Sequence, residues 1–254
     1  AERLRGGAAE SVFCYRVDYF VHPTSELETG TWESPEVSGV PPLPRTFHSS
    51  SAAIGDCLYV FGGGHKGTEP VKDQQLHVFD TATLTWCQPD TRGEPPSPRH
   101  GHAVVAAGTQ LFVHGGLAGD VFYSDLFCID VRDMRWVKVP APATGDVPAG
   151  RASHASAVFR DHLYIFGGIG PGGTLDTTYK YDIAPGRPPL VVVPPVQDQI
   201  PCNTENCPRP TAHSQPANGG EGGAEDAVVH LLLVFGGMDT QGEIYRDCVV
   251  SLLE

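Results

Sequence analysis

One recurring pattern constrains the fold of this chain more than any other property. An Arg-x-x-His element occurs at Arg45–His48, Arg99–His102 and Arg151–His154. Each is followed by an apolar run that stops at a glycine pair: LYVFGG ends at Gly63, LFVHGG at Gly116 and LYIFGG at Gly168. A fourth such run, LLVFGG, ends at Gly237. A second apolar run then closes on aspartate, at Asp80, Asp130 and Asp182. Trp86 and Trp136 each lie six residues beyond the Asp of their own repeat. The arginines are 54 and 52 residues apart, so the unit is about fifty residues long, and a period of that size must be read before any local structure.

Four short strands fit in each unit. In the first, His48–Ile54 alternates weakly and ends at Gly55-Asp56, a pair suited to a tight turn. Cys57–Phe61 is apolar throughout, as a strand buried on both faces must be. Gly62-Gly63 interrupts it where the backbone turns tightly or approaches a neighbour. Leu76–Asp80 supplies the third strand and Trp86 opens the fourth. The next two units read alike, with Ala107-Gly108 and Arg160-Asp161 at the first turn. Four strands per unit, repeated at this period, predict an all-β, kelch-type β-propeller built from four-stranded antiparallel blades.

The recurring residues have structural explanations within that architecture. The glycine pairs follow strands and precede no helix, so they are not phosphate loops. Trp86 and Trp136 are expected to pack between blades, where a large ring buries much apolar surface. His48, His102 and His154 recur in register, which predicts a structural hydrogen bond within each blade; the competing reading is a trio of metal ligands facing a common axis. Cys202 and Cys207, five apart in a proline-bounded loop, fit neither a redox pair nor a zinc knuckle. No catalytic residue, metal or cofactor is expected.

The pattern breaks at both ends. After Asp182 the tryptophan is absent, and Pro185–Pro189 precede a short apolar stretch, Leu190–Val193. Gln197–Asp226 is polar and rich in Pro, Gly, Asn and Glu, which predicts a flexible insertion at about 197–226. Val228–Gly237 and Tyr245–Leu253 resume the strands. Toward the N-terminus, Trp32 precedes Arg45 by 13 residues, as Trp86 precedes Arg99, so residues 27–254 are assigned to the propeller. Residues 1–26 remain unplaced. Three blades are clear and a fourth is split, so the ring is expected to be incomplete or open, or closed by terminal strands sharing a blade.

Charge and cysteine narrow the function. A formal net charge of −13 opposes nucleic-acid binding, which needs clustered Lys and Arg. Seven cysteines without framework spacing fit a reducing compartment. No apolar run approaches the roughly 18–20 residues of a membrane span, and Ala1–Ala9 is too polar for a signal peptide. A soluble, cytoplasmic, unsecreted protein is expected.

Several segments are more specific than the repeat. PRTFHSSSAAIGDCLYVFGGG (Pro44–Gly64), LHVFDTATLTW (Leu76–Trp86), PPSPRHGHAVVAAGTQLFVHGGLAGD (Pro95–Asp120) and LVFGGMDTQGEIYRDC (Leu233–Cys248) resemble a family of Rab effectors that carry kelch motifs. The likeness covers about Leu27–Asp182 and Val228–Glu254. It implies six kelch repeats, so the first blades are expected to be missing here. It also implies a protein recruited peripherally to endosome membranes that binds a GTP-bound late-endosomal Rab and supports return of mannose 6-phosphate receptors to the trans-Golgi network. No partner-binding residue transfers from it. Two other readings compete. One is a substrate adaptor for ubiquitin ligation, as other kelch propellers are, although no companion domain is evident. The other is an iron-dependent enzyme, because Glu69-x-x-x-Asp73-x-x-x-His77 is similar to the iron-ligand motif of plant kelch specifier proteins, and carboxylate with imidazole suits ferrous iron. Fully extended, Asp73 and His77 would stand about 13 Å apart, too far for one ion unless the loop folds back.

Overall fold

A strand covered on both faces must place apolar side chains at successive positions, each sent to the opposite side. The middle repeat meets that requirement residue by residue. The structure, a computed structural model, describes residues 36–46, 48, 52–65, 69–140, 147–184, 190–192, 200–202, 230–238 and 241–253. Every regular element among them is a strand, and they contain no helix long and apolar enough to cross a membrane. The chain divides into two compact units, residues 1–193 and 194–254.

Among its described residues the first unit contains three blades. Blade 1 comprises β1 (Ser38–Gly39), β2 (Ala53–Ile54), β3 (Cys57–Val60), β4 (His77–Asp80) and β5 (Thr85–Cys87), in the spatial order β1-β5-β4-β3-β2. Blade 2 comprises β6 (Ala103–Ala107), β7 (Gln110–His114), β10 (Leu126–Asp130) and β11 (Arg135–Lys138). A small hairpin of β8 (Leu117–Ala118) and β9 (Val121–Phe122) interrupts it. Blade 3 repeats the plan with β12 (Ala155–Phe159), β13 (His162–Phe166), the hairpin β14 (Ile169–Gly170) and β15 (Gly173–Thr174), β16 (Thr178–Asp182) and β17 (Leu190–Val192). Four-stranded antiparallel pairing within each blade confirms the kelch-type β-propeller architecture. Leu190–Val192 takes the fourth-strand place in blade 3 although the tryptophan is missing.

The aspartates that close the third strands have a local task. Asp80 Oδ1 accepts from Ala82 and Thr83 N–H, and Asp130 and Asp182 each accept from the N–H two residues on. A carboxylate that caps its own turn in this way starts the hairpin to the fourth strand. That hairpin is then completed by Leu84 and Met134, both at positive φ.

The core lies between blades. Along β7, Leu111 and Val113 face blade 1 and join Tyr59, Phe61, Leu76 and Val78. Phe112, between them, faces the other way and joins Leu163, Ile165 and Tyr181 of blade 3. Strand β10 alternates likewise, with Phe127 and Ile129 on one side and Leu126 on the other. Trp136 packs across the first interface against Phe61, with ring centroids 5.2 Å apart, so it lies between blades as its sequence position predicts. The buried Trp86 has its closest ring contact inside its own blade, with Phe79 at 4.9 Å. Burying one leucine, isoleucine or phenylalanine of these clusters contributes roughly 1.5–3 kcal/mol, and because both clusters join adjacent blades, that contribution depends on the neighbour being in place.

The second unit is a three-stranded sheet in the order β18-β20-β19, from β18 (Ile200–Cys202), β19 (His230–Met238) and β20 (Ile244–Leu253). Here the glycine pair Gly236-Gly237 coincides with a bulge between β19 and β20. Strand β18 falls inside the 197–226 stretch expected to be a flexible insertion. The rest of that stretch, Trp32 and the unplaced residues 1–26 lie outside the described residues.

Candidate functional site

Arginine is rarely buried without partners, and the repeated Arg is held in the same way in all three blades. Arg99 and Arg151 are fully buried, and the Arg45 side chain is 3% exposed. Each Nε donates to the carbonyl two residues earlier, that of Leu43, Ser97 or Ala149. Each Nη1 donates to the first glycine of the pair, at Gly62, Gly115 or Gly167, over 2.9–3.1 Å. The third partner comes from the loop before the third strand: Asp73 for Arg45, Asp125 for Arg99 and the Thr177 hydroxyl for Arg151. Arg99 also lies 4.0 Å above the centre of the Tyr123 ring. One guanidinium thus ties three segments of a blade, and removing either partner of such a pair leaves a buried charge uncompensated.

The residues of the iron-type motif fall in this cluster. The loop does fold back, the condition on which the motif depended: His77 Nε2 lies 2.6 Å from Asp73 Oδ2. Arg45 Nη2 occupies the same carboxylate oxygen at 3.0 Å. Partial burial pushes the Asp73 carboxyl up, but hydrogen bonds from Gln75 N–H, His77 and Arg45 outweigh it and hold the group below the usual carboxylate range. His77 is buried, and Glu69 is exposed. A fixed guanidinium on the central carboxylate repels a cation seeking that oxygen. Asp73 and His77 therefore fit the structural role that Asp125 fills in the next blade.

Two of the histidines that recur in register, His102 and His154, bond between blades, not within them. His102 of blade 2 donates from Nε2 to the Phe61 carbonyl of blade 1 at 2.9 Å. His154 of blade 3 reaches back to blade 2, where its Nε2 lies 3.0 Å from His114 Nδ1. His114 Nε2 continues to the Tyr181 hydroxyl at 3.2 Å, giving a buried His154–His114–Tyr181 chain. Burial and the Arg99 charge push His102 down to about 3, and burial with Arg151 pushes His154 down to about 4. His114 is lowered well below the ordinary value, first by burial and then by His154. Rings that stay neutral and meet no solvent hold packing together and offer no base to a substrate.

The glycine pair explains why each histidine reaches backward. Gly63 N–H donates to Arg99 O and Gly116 N–H to Arg151 O, each in the following blade. A Cβ on Gly62, at φ +62°, would stand 2.7 Å from Arg99 O and 2.8 Å from His102 Cε1. The pair is therefore the seam where one blade's turn meets the next blade's Arg-x-x-His loop. This geometry is that of a stacked repeat.

Residues 6–184 match the KLHDC2/KLHL20/DRC7 Kelch-repeats domain, a match that begins inside the unplaced N-terminal segment. The Rab9 effector protein with kelch motifs from Gallus gallus is 62% identical over 252 residues, spanning 89% of this chain and 68% of that protein. The chain belongs to the family of Rab9 effectors with kelch motifs. The relative of the same name from Homo sapiens is 49% identical over 253 residues, again 89% of this chain and 68% of the relative. A more distant relative, Tip elongation aberrant protein 1 of Schizosaccharomyces pombe, is 34% identical over 148 residues, 56% of this chain and 13% of that protein. The chain thus spans about two thirds of the length of its kelch-motif Rab9 effector relatives.

Three further features follow the repeat in this family member, and of their residues the sequence had drawn attention only to Asp73, for a different reason. Asp73, Asp125 and Thr177 follow their arginines by 28, 26 and 26 residues. His114 stands where neighbouring repeats have Phe61 and Phe166, and that exception marks the buried polar chain. Gly39 and Gly93 each precede their Arg by six residues, as Gly145 precedes Arg151. All three lie in proline-rich linkers that read as loop, yet the first two linkers pair with the outer strands in parallel: Ser38–Gly39 with Thr85–Trp86, and Arg92 with Arg135. A Cβ on Gly39 or Gly93 would meet the Trp86 or Trp136 carbonyl at 2.0 or 2.4 Å, so only glycine fits.

Proposed function

We propose that the chain is a non-enzymatic interaction scaffold that acts as a Rab GTPase effector, with GTP-bound Rab9 as its partner. The observation that carries this reading is the 62% identity, across 89% of the chain, to a relative named for that role. The architecture supports it. Blades fixed by inter-blade cores hold their connecting loops rigidly, which suits recognition, and the buried polar residues described above are taken up in holding blades together. A cytoplasmic protein recruited peripherally to late-endosomal membranes, assisting return of mannose 6-phosphate receptors to the trans-Golgi network, is the wider role in which we place it. The test is a binding titration of the purified chain against Rab9 loaded with a GTP analogue or with GDP. Saturable binding that strongly favours the GTP-analogue form is expected. Equal binding to both forms, or none by a folded and monodisperse sample, would refute the assignment for this chain.

A further inference from the structure

Val40-Pro41-Pro42-Leu43-Pro44 is the most exposed apolar stretch of the first unit whose backbone is described. Val40 is 67% and Leu43 74% exposed. Folding does not require apolar residues at these positions. In the next linker the same register, counted back from the arginine, reads Glu94-Pro95-Pro96-Ser97-Pro98, and Glu94 and Ser97 are exposed with blade 1 standing before them. Exposure at these two positions is therefore a property of the linker, independent of what precedes it. The third linker puts Ala149 in the place of Leu43, and Ala149 is also exposed.

The segment has neither helical nor strand pairing. Its three prolines fix φ near −65°, and Val40, Pro41 and Leu43 each precede a proline, which favours extended backbone. These constraints favour a polyproline II run, which has three residues per turn. Val40 and Leu43 then share one edge, Pro41 and Pro44 a second, and Pro42 the third. Pro41 and Pro42 are both half-buried, while Val40, Leu43 and Pro44 are exposed; in the next linker Pro96, the counterpart of Pro42, is buried and its carbonyl accepts from Gln74. Both ends are held: Ser38 N–H donates to Leu84 O, Arg45 Nε to Leu43 O, and Thr46 N–H to Gly64 O. A ligand fixed in its bound shape loses little entropy on docking.

We propose that Val40–Pro44 is a docking site for a proline-recognition domain. Two apolar-proline pairs, Val40-Pro41 and Leu43-Pro44, stand one turn apart with Val40, Leu43 and Pro44 exposed and Pro41 half-buried, a spacing that suits the aromatic-lined grooves of SH3 and WW domains. Arg45 is held in its buried cluster, so the groove must read the apolar-proline pairs without a flanking basic side chain. That requirement favours WW-type grooves over SH3 domains that need an arginine. The proposal does not rest on the Rab reading and stands or falls separately from it.

The purified chain should be titrated against a panel of isolated WW and SH3 domains, and each binder measured again with variants. Val40→Glu/Leu43→Ser installs the residues that the next linker already carries, and Pro41→Ala/Pro44→Ala removes the second edge. We expect saturable binding by at least one WW domain, weakened about tenfold or more by either double substitution, as anchor residues require. Val147→Glu, in the third linker, should leave it unchanged. Matched thermal melting curves verify that the variants fold. Absence of binding by every domain, indifference to both double substitutions, or binding by a peptide of residues 38–46 but not by the folded chain would each overturn the proposal.

Discussion

Lowering the pH from 7 to 5 should destabilise this protein through imidazoles that cannot take up a proton where they sit. His102 and His154 are buried between blades and held down to about 3 and about 4, against an ordinary value of 6.5. Both folded values lie below the unfolded one, so the unfolded chain binds the extra protons in the interval. Stability is fully present above pH 6.5 and is lost as pH falls toward the folded values. One pH unit is worth about 1.4 kcal/mol per group, so the 1.5 units between 6.5 and 5 amount to about 2 kcal/mol per imidazole and about 4 kcal/mol for the two. His114, lowered for the same reason, acts in the same direction. The carboxylates held down in the fold, such as Asp130 at about 2, titrate lower and leave this window to the histidines. Urea unfolding followed by tryptophan fluorescence at both pH values reads the effect directly. With a slope typical of this size, the midpoint should fall by about 1–2 M. His102→Gln keeps a donor for the Phe61 carbonyl but cannot titrate, and should remove about half of the loss. Stabilities agreeing within about 1 kcal/mol at the two pH values, or an unchanged loss in His102→Gln, would refute the argument.

Two further outcomes follow from the repeat geometry. Thr177→Asp restores in blade 3 the carboxylate that Asp73 and Asp125 present to their arginines; the charge-assisted bond to Arg151 should add about 1 kcal/mol in chemical denaturation, and a loss of stability would show that blade 3 holds its arginine differently. Gly62→Ala combines a positive φ with a Cβ 2.7 Å from Arg99 O, whereas Gly108→Ala has the same kind of φ and open space. The first should cost about 3 kcal/mol or more and the second about 1, as Arg160 already occupies the equivalent turn at φ +52°; equal costs measured by urea unfolding would contradict the steric account.

The blades were legible in the sequence because period and strand count act together. The apolar runs Cys57–Phe61 and Leu76–Asp80 contain strands within a residue or so of their expected limits. What the sequence hides is which copy of a repeat a side chain touches. His102 and His154 recur at the right interval for a bond inside each blade, yet a bond to the preceding blade has the same period, and packing chooses between them. Distance along the chain left the separation of Asp73 and His77 open, wide if extended and short if the loop folds back, and the loop brings the pair to 2.6 Å. The outer parallel pairing of Ser38–Gly39 was masked by its prolines, which signal a loop even where the glycine beside them lies flat against Trp86. His114 was visible as a departure from phenylalanine, but only the arrival of His154 and Tyr181 gives that departure a purpose.

The seam at the glycine pairs bears on how the chain is made. Gly63 and the Phe61 carbonyl find their partners in Arg99 and His102, the latter 41 residues further on, and His114 waits 40 residues for His154. As the polypeptide emerges from the ribosome, a blade whose own four strands are already out still has an unfinished turn and one bare face. It is completed only when most of the next repeat has followed. The unit that matures is thus offset from the unit that repeats, and an insertion or deletion cut neatly at the sequence boundary would split two half-built seams.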